Sequence, residues 1–394
     1  MAIINRTQAR ILKYLYQKGI SSRRDIGRYL NLGSSMTSDL VSDLILQGLI
    51  VEKGTISTPR GRCPVALSLH ADFGCLIGME MTNAYIRALV TDFTGEVIGC
   101  AEQSLVDALT LETLEHHIGM LVNRLRIAHQ GRRLLACGLA SYGLVNRDTG
   151  VILSLPPYKL QNIALADQLT QMIGVPVYLE ARTQAAALGE LNHGIKDQVS
   201  SFAYVNADYG AALGLACVDH GRLVRGGGLA GQLGHLCLDP DGPRCFCGGR
   251  GCLATMATPA VVVEQTLADL SPEAESVLNN IEGRSITFED IIAASIDKDK
   301  LAVDVTTKLA EKLGLGISYV VNLFNPDVVV LGGLLRNVGD DFIAALSRVI
   351  ERHVVPRVFH SNLVQTTTLG TYGVALGAVD VAVGKVIDRL SQHS

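Results

Sequence analysis

Gly231-Gln232-Leu233-Gly234-His235, followed by Cys245-Phe246-Cys247-Gly248-Gly249-Arg250-Gly251-Cys252, is the stretch on which the reading of this chain turns. His235, Cys245, Cys247 and Cys252 follow an H-x9-C-x-C-x4-C spacing. Three thiolates and one imidazole match a closed tetrahedral zinc site, and Gly242, Gly248, Gly249 and Gly251 permit the tight turns of such a knuckle. Reduced core cysteines are the competing explanation, but they fit poorly in a Gly-rich segment that also carries Arg244 and Arg250. Four protein ligands leave no position open for an activated water, so the expected zinc is structural. Cys63, Cys75, Cys100, Cys137, Cys217 and Cys237 lie singly elsewhere and are expected as buried small hydrophobes.

On either side of the knuckle the chain alternates strand-like and helix-like segments. Residues 76–81, 86–92 and 97–101 read as strands with a turn at Thr94-Gly95, and residues 201–205 and 212–218 repeat the opening hairpin with a turn at Asp219-His220-Gly221. Two similar α/β lobes are predicted, with the cleft between them as the default ligand site. Residues 328–331 read as a fully apolar strand followed by Gly332-Gly333, a strand-diglycine-helix pattern common at nucleotide-facing turns.

The 394 residues are 48% hydrophobic and 18% charged, a composition that excludes a disordered chain. No apolar, uncharged stretch reaches the roughly 18 residues of a membrane helix, and residues 1–10 lack the apolar core of a signal peptide, so a cytoplasmic location is expected. An odd number of cysteines in a long chain argues against a disulfide scaffold. The net charge of −4 is unevenly divided: residues 1–70 carry ten Lys/Arg against four Asp/Glu, and the remainder carries 24 against 34. A basic head on an acidic body is the footprint of a module that meets a polyanion.

Within that head, Ile4, Ile11, Leu12 and Leu15 fall at helical spacing up to Gly19, and Ser22 stands three residues before Asp25 as a capping pair for a short second helix. Ser34 or Ser35 can cap a third helix with Met36, Leu40, Val41 and Leu44 inward and Ser35, Thr37, Ser38 and Ser42 outward. Residues 49–52 and the alternating Val65, Leu67 and Leu69 read as a hairpin whose link carries Arg60-Gly61-Arg62. The whole is predicted to be a winged helix-turn-helix that binds double-stranded DNA, with the third helix in the major groove and the wing in a neighbouring groove. Candidate contacts are Arg23, Arg24, Ser34, Ser35, Thr37, Ser38, Arg60 and Arg62, with Arg28 near phosphates. The third helix has Asp39 and Asp43 and no Lys or Arg, so phosphate and wing contacts should dominate affinity.

Taken together, the 231–235 and 245–252 segments resemble the signature of the ROK family of repressors, open reading frames and sugar kinases. The head, from Ser22-Arg23 through Gly48-Leu49-Ile50 to Gly61-Arg62, is similar to the DNA-binding segment of its glucose, N-acetylglucosamine and xylose regulators. The resemblance covers nearly the whole chain. It implies a two-lobed α/β, actin-like body of the hexokinase type, a sugar or sugar phosphate in the interlobe cleft, and homodimers or homotetramers. The expected domains are residues 1–70 for the head, 71–192 for the first lobe, and 193–394 for the second lobe with the knuckle, its last helix packing back on the first.

The resemblance also shows what this chain lacks. Ala181 and Arg182 stand where the kinases carry Asn and the Asp that serves as catalytic base, and a guanidinium cannot accept a proton near neutral pH. The first phosphate loop reads Glu80-Met81-Thr82-Asn83-Ala84 without its diglycine, and the second is reduced to Ala212-Leu213-Gly214-Leu215-Ala216. Gln232 and Ala254 replace two family glutamates. A non-enzymatic transcriptional repressor of carbohydrate-metabolism genes is therefore expected, with Arg182, Gln232 and His235 as effector-pocket residues and an anionic effector suggested by Arg182. Two alternatives stand beside this. Arg182 could pair internally with Glu180 or Glu190, or the chain could be a ROK sugar kinase with an appended head.

Overall fold

The computed structural model describes residues 4–57, 63–105, 110–155, 159–195, 199–209 and 212–391. Its contacts divide into two compact units, Met1–Asn192 with Thr371–Ser394, and His193–Gly370. Among the described residues no helix is long and apolar enough to cross a membrane.

The first unit opens with α1 (Arg6–Lys18), α2 (Arg23–Leu30) and α3 (Ser34–Leu46), followed by the antiparallel pair β1 (Ile50–Thr55) and β2 (Val65–Leu69). Local sequence dictates the first two helices. Asn5 with Gln8 and Ser22 with Asp25 form reciprocal capping boxes, while Gly19 and a left-handed Asn31 end α1 and α2. The start of α3 differs from the expectation, because Gly33 is its N-cap and offers no side-chain hydrogen bond. The inner stripe is consequently Thr37, Val41 and Leu44, while Met36 is 49% exposed. Thr37 packs where α2 crosses at Gly27, and a Cβ on Gly27 would lie 3.0 Å from Thr37 Oγ1, so there is no room here for a side chain of methionine size.

The main sheet of this unit begins with an antiparallel meander of β3 (Cys75–Met81), β4 (Tyr85–Asp92) and β5 (Val97–Ser104), after which α4 (Leu111–Ala128) leads to β6 (Leu134–Ser141). A small antiparallel sheet of β7 (Leu144–Asn146), β8 (Val151–Leu155) and β9 (Leu160–Ile163) and then α5 (Leu165–Ile173) precede β10 (Val177–Ala181), which runs straight into α6 (Arg182–Gly189). Strand order is β10-β6-β3-β4-β5, with β3, β6 and β10 parallel.

Alternation of side chains along the strands gives the sheet two apolar faces. Ile77, Met79 and Leu139 meet Ile118 and Leu121 of α4 and Leu169 of α5 on one face. The C-terminal helix, Gly373–Ser391, covers the other so closely that a Cβ on Gly78 or Gly138 would overlap the Ala375 or Ala378 carbonyl oxygen. That same helix reaches the head. Leu12 and Leu15 of α1, Leu67 of β2, Leu76 of β3 and Val383 and Ile387 share one core. Across that junction Ile4 N donates to Leu390 O at 3.1 Å, Tyr16 Oη to Asp380 Oδ1 at 2.7 Å, and Lys13 Nζ pairs with Asp388 Oδ1 at 2.6 Å. The head is thus fused to the first lobe through a common core.

The second unit repeats the plan. β11 (Phe202–Asp208), β12 (Ala212–Asp219) and β13 (Arg222–Leu223) form the meander, and α7 (Pro259–Asp269), α8 (Phe288–Ile296) and α9 (Lys300–Phe324) lead to β14 (Val328–Gly333). After α10 (Asp340–His353), β15 (Val364–Thr366) completes the order β13-β12-β11-β14-β15, with β11, β14 and β15 parallel. This matches the first sheet strand for strand, as the recurring hairpin pattern predicts. The diglycine differs from its expected role: Gly332-Gly333 lies inside β14 and is followed by a single 3-10 turn, Leu334–Asn337. A side chain on Gly332 would overlap the ring of Tyr204, so strand packing accounts for that glycine.

Candidate functional site

The knuckle is built by short-range backbone bonds. Cys245 N donates to Gly249 O at 2.9 Å, Gly248 N to Cys245 O at 3.0 Å and Gly251 N to Pro243 O at 2.8 Å, folding the three cysteines onto His235. Gly251 has φ +58°, and a Cβ there would overlap Asp239 O, so a larger residue is excluded on both counts. The donor atoms of His235, Cys245, Cys247 and Cys252 all lie within 4.8 Å of one another. Cys247 Sγ and Cys252 Sγ are 3.7 Å apart, and Cys245 Sγ and His235 Nδ1 3.6 Å. A tetrahedron with metal–sulfur bonds of about 2.3 Å and a metal–nitrogen bond of about 2.05 Å has edges of about 3.8 and 3.6 Å. The four side chains therefore fit a four-coordinate metal. Of the six remaining cysteines, Cys75, Cys137 and Cys217 are buried, with the Cys137 and Cys217 thiols pushed up to about 12 by burial. Cys63, Cys100 and Cys237 are exposed, which corrects the expectation that all six are core residues.

On the head, α2, the first turn of α3 and the start of β2 line a groove of about 560 Å³ that includes Ser22, Arg23, Arg24, Arg28, Ser34 and Ser38. Arg24, Arg28, Ser34 and Ser35 are exposed and Ser38 is half-buried. Arg23 is held from β1, where Glu52 Oε1 accepts from both Nη atoms at 3.1 Å. Thr37 lies at the base of this groove: it is 1% exposed and its hydroxyl donates to Gly33 O at 2.9 Å. Its expected outward position is thereby corrected, since it closes the α2–α3 turn from within. Arg60 and Arg62 lie outside the described residues.

In the first lobe, Arg182 opens α6 at the end of β10 and is 6% exposed. Its Nε donates to Glu80 Oε1 at 2.7 Å and its Nη2 lies 2.6 Å from the same oxygen, Glu80 being 1% exposed. An internal acid partner is thus supplied from β3, while Glu180 Oε2 accepts from Arg147 Nε at 3.0 Å. Glu80 was not among the expected site residues. The signal for it was complementary: an arginine gained at 182 while an acid persists at 80.

In the second unit, Gln232 is exposed, donates to Leu229 O at 3.2 Å, and borders an apolar groove of about 440 Å³. The end of α9 also lines that groove, where Tyr319, Leu323 and Phe324 are 43%, 78% and 48% exposed. His235 turns Nδ1 toward Cys245 and meets Phe246 edge-on, ring centroids 5.2 Å apart. Among the expected effector residues, the structure therefore engages Arg182 with an acid and His235 with thiols.

The ROK family model matches residues 76–385. A putative xylose repressor of Caldicellulosiruptor sp. (strain Rt8B.4) is 29% identical over 382 residues, covering 96% of this chain and 95% of its own length. Among solved structures, a ROK family transcriptional regulator described as a homologue of the E. coli MLC protein gives a TM-score of 0.82 at 28% identity, covering 97% of this chain and 98% of its own. A ROK family glucokinase from Streptomyces griseus, in complex with glucose and AMPPNP, gives 0.69 at 25% identity, covering 78% and 99%.

Proposed function

The chain belongs to the ROK family, and from that premise we propose that it is a DNA-binding transcriptional repressor of carbohydrate-metabolism genes whose actin-like body has no sugar-kinase chemistry. The observation that carries this reading is the buried ion pair at residue 182. Where the family resemblance puts a catalytic base, Arg182 offers only donors, and Glu80, from the first phosphate-loop position, accepts them. The relatives agree in extent: the regulator structure covers 97% of the chain and the glucokinase 78%.

In this reading the head is a winged helix-turn-helix. Its α3 enters the major groove, Arg24, Arg28 and the first turns of α2 and α3 meet phosphates, and Arg60 and Arg62 act from the wing. Arg23 contributes once Glu52 yields it. Structural zinc holds the knuckle, which has all four ligands from the chain. The effector is a sugar or sugar phosphate bound by the body, with Gln232 as its exposed polar contact. Arg182 leaves the set of anion ligands because Glu80 already neutralises it. Two chains associate through exposed apolar surface at the end of α9, so that two heads engage two half-sites.

A coupled assay with ATP and a panel of hexoses and pentoses tests the reading against its enzymatic alternative. It should show no sugar-dependent ATP consumption; turnover of about 1–100 s⁻¹, the usual range for kinases, would contradict it.

A further inference from the structure

Two acids stand on the solvent side of α3, and the structure treats them differently. Asp43 is satisfied: its Oδ2 accepts from Gln8 Nε2 of α1 and from Gln47 Nε2. Asp39, one turn earlier, is exposed and makes no hydrogen bond or ion pair among the described residues. It shares its face with Ser35 and Ser42, four residues before and three after, and both are exposed. No Lys or Arg lies on α3 to offset it.

On the DNA-binding reading, on which this inference rests, that face meets base edges. A bare carboxylate carried toward a polyanion weakens binding to every sequence unless a donor receives it. The bases differ sharply in what they present in the major groove. Guanine shows N7 and O6, thymine O4, and adenine N7 beside its amine, all of which place an acceptor against the carboxylate; cytosine shows its N4 amine alone. We propose that Asp39 is a base-reading residue that selects cytosine at one position of each half-site, its carboxylate accepting a hydrogen bond from the N4 amine. A wrong base leaves the carboxylate against an acceptor, so Asp39 acts mainly by rejection. The helix thereby gains specificity without a basic side chain.

The test is selection of bound duplexes from a randomised library by the full-length native chain, Asp39→Ala and Asp39→Asn, followed by titration of the selected duplexes. The native chain should disfavour replacement of one cytosine per half-site by about 5- to 150-fold. Asp39→Ala should lose that preference while binding unrelated duplexes more tightly. Asp39→Asn should move the preference at the same position to adenine, whose N6 and N7 suit a carboxamide. If the native chain selects a sequence and both variants select the same one, the assignment of Asp39 is overturned while the DNA-binding reading stands. If the native chain selects no sequence at all, the DNA-binding reading itself fails, and this inference with it.

Discussion

Glu80 and Arg182 are both more than nine-tenths buried, so replacing either removes an opposite charge from beside the other where water has little access. Glu80→Gln or Arg182→Ala should each lower unfolding free energy by about 3–5 kcal/mol, read from urea melts of the whole chain. A Glu80→Leu, Arg182→Met double variant should cost much less than the two single losses combined, because it removes both charges at once. Single-variant losses below about 0.5 kcal/mol, the ordinary level of surface substitutions, would mean the pair is not formed in solution. At the knuckle the prediction concerns metal content. Cys247→Ser and Cys252→Ser should lose stoichiometric zinc by atomic absorption, whereas Cys237→Ser, exposed and outside the donor set, should keep it. Retention of zinc by the first two variants would remove them as ligands.

Among the elements, the C-terminal helix does the most to position others, because it packs on β3 and β6 and also on α1. Burial and the adjacent Asp380 carboxylate hold the Tyr16 phenol well above its ordinary range, so it stays a neutral donor at physiological pH. Tyr16→Phe deletes a hydrogen bond to a charged acceptor and should cost about 1.5–3 kcal/mol. The loss should appear as faster amide exchange in α1; unchanged exchange there would show that the apolar core alone secures the head. This junction was not legible in the sequence, since Tyr16 and Asp380 are 364 residues apart. Glu80 and Arg182 are 102 apart, so the exchange at 182 signalled the need for an acid but not which one would meet it. What could be read was local: the Ser22–Asp25 cap, the knuckle spacing and the hairpin that opens each sheet. The orientation of α3 was misread because its N-cap is a glycine with no side-chain signal, and the stripe then turned on whether Met36 or Thr37 fits beside Gly27.

At the scale of the whole molecule, the charge division gains a physical sense: Arg23, Arg24 and Arg28 line the groove of the head, and an acidic body is disfavoured near a polyanion. If chains pair through the end of α9, Leu323→Glu should convert the native oligomer to monomer in light scattering at micromolar concentration and weaken operator binding, because two linked half-site contacts become one. An unchanged mass would place the association surface elsewhere. A body without sugar-kinase chemistry that carries a DNA-reading head, as proposed above, should recognise a defined site. Selection of genomic fragments by the purified native chain tests it most directly. The expected result is enrichment of a two-fold symmetric site, its half-sites spaced by about 10–10.5 base pairs or a multiple, beside carbohydrate-metabolism genes. Fragments recovered without any common sequence, at the level of non-specific binding, would contradict it.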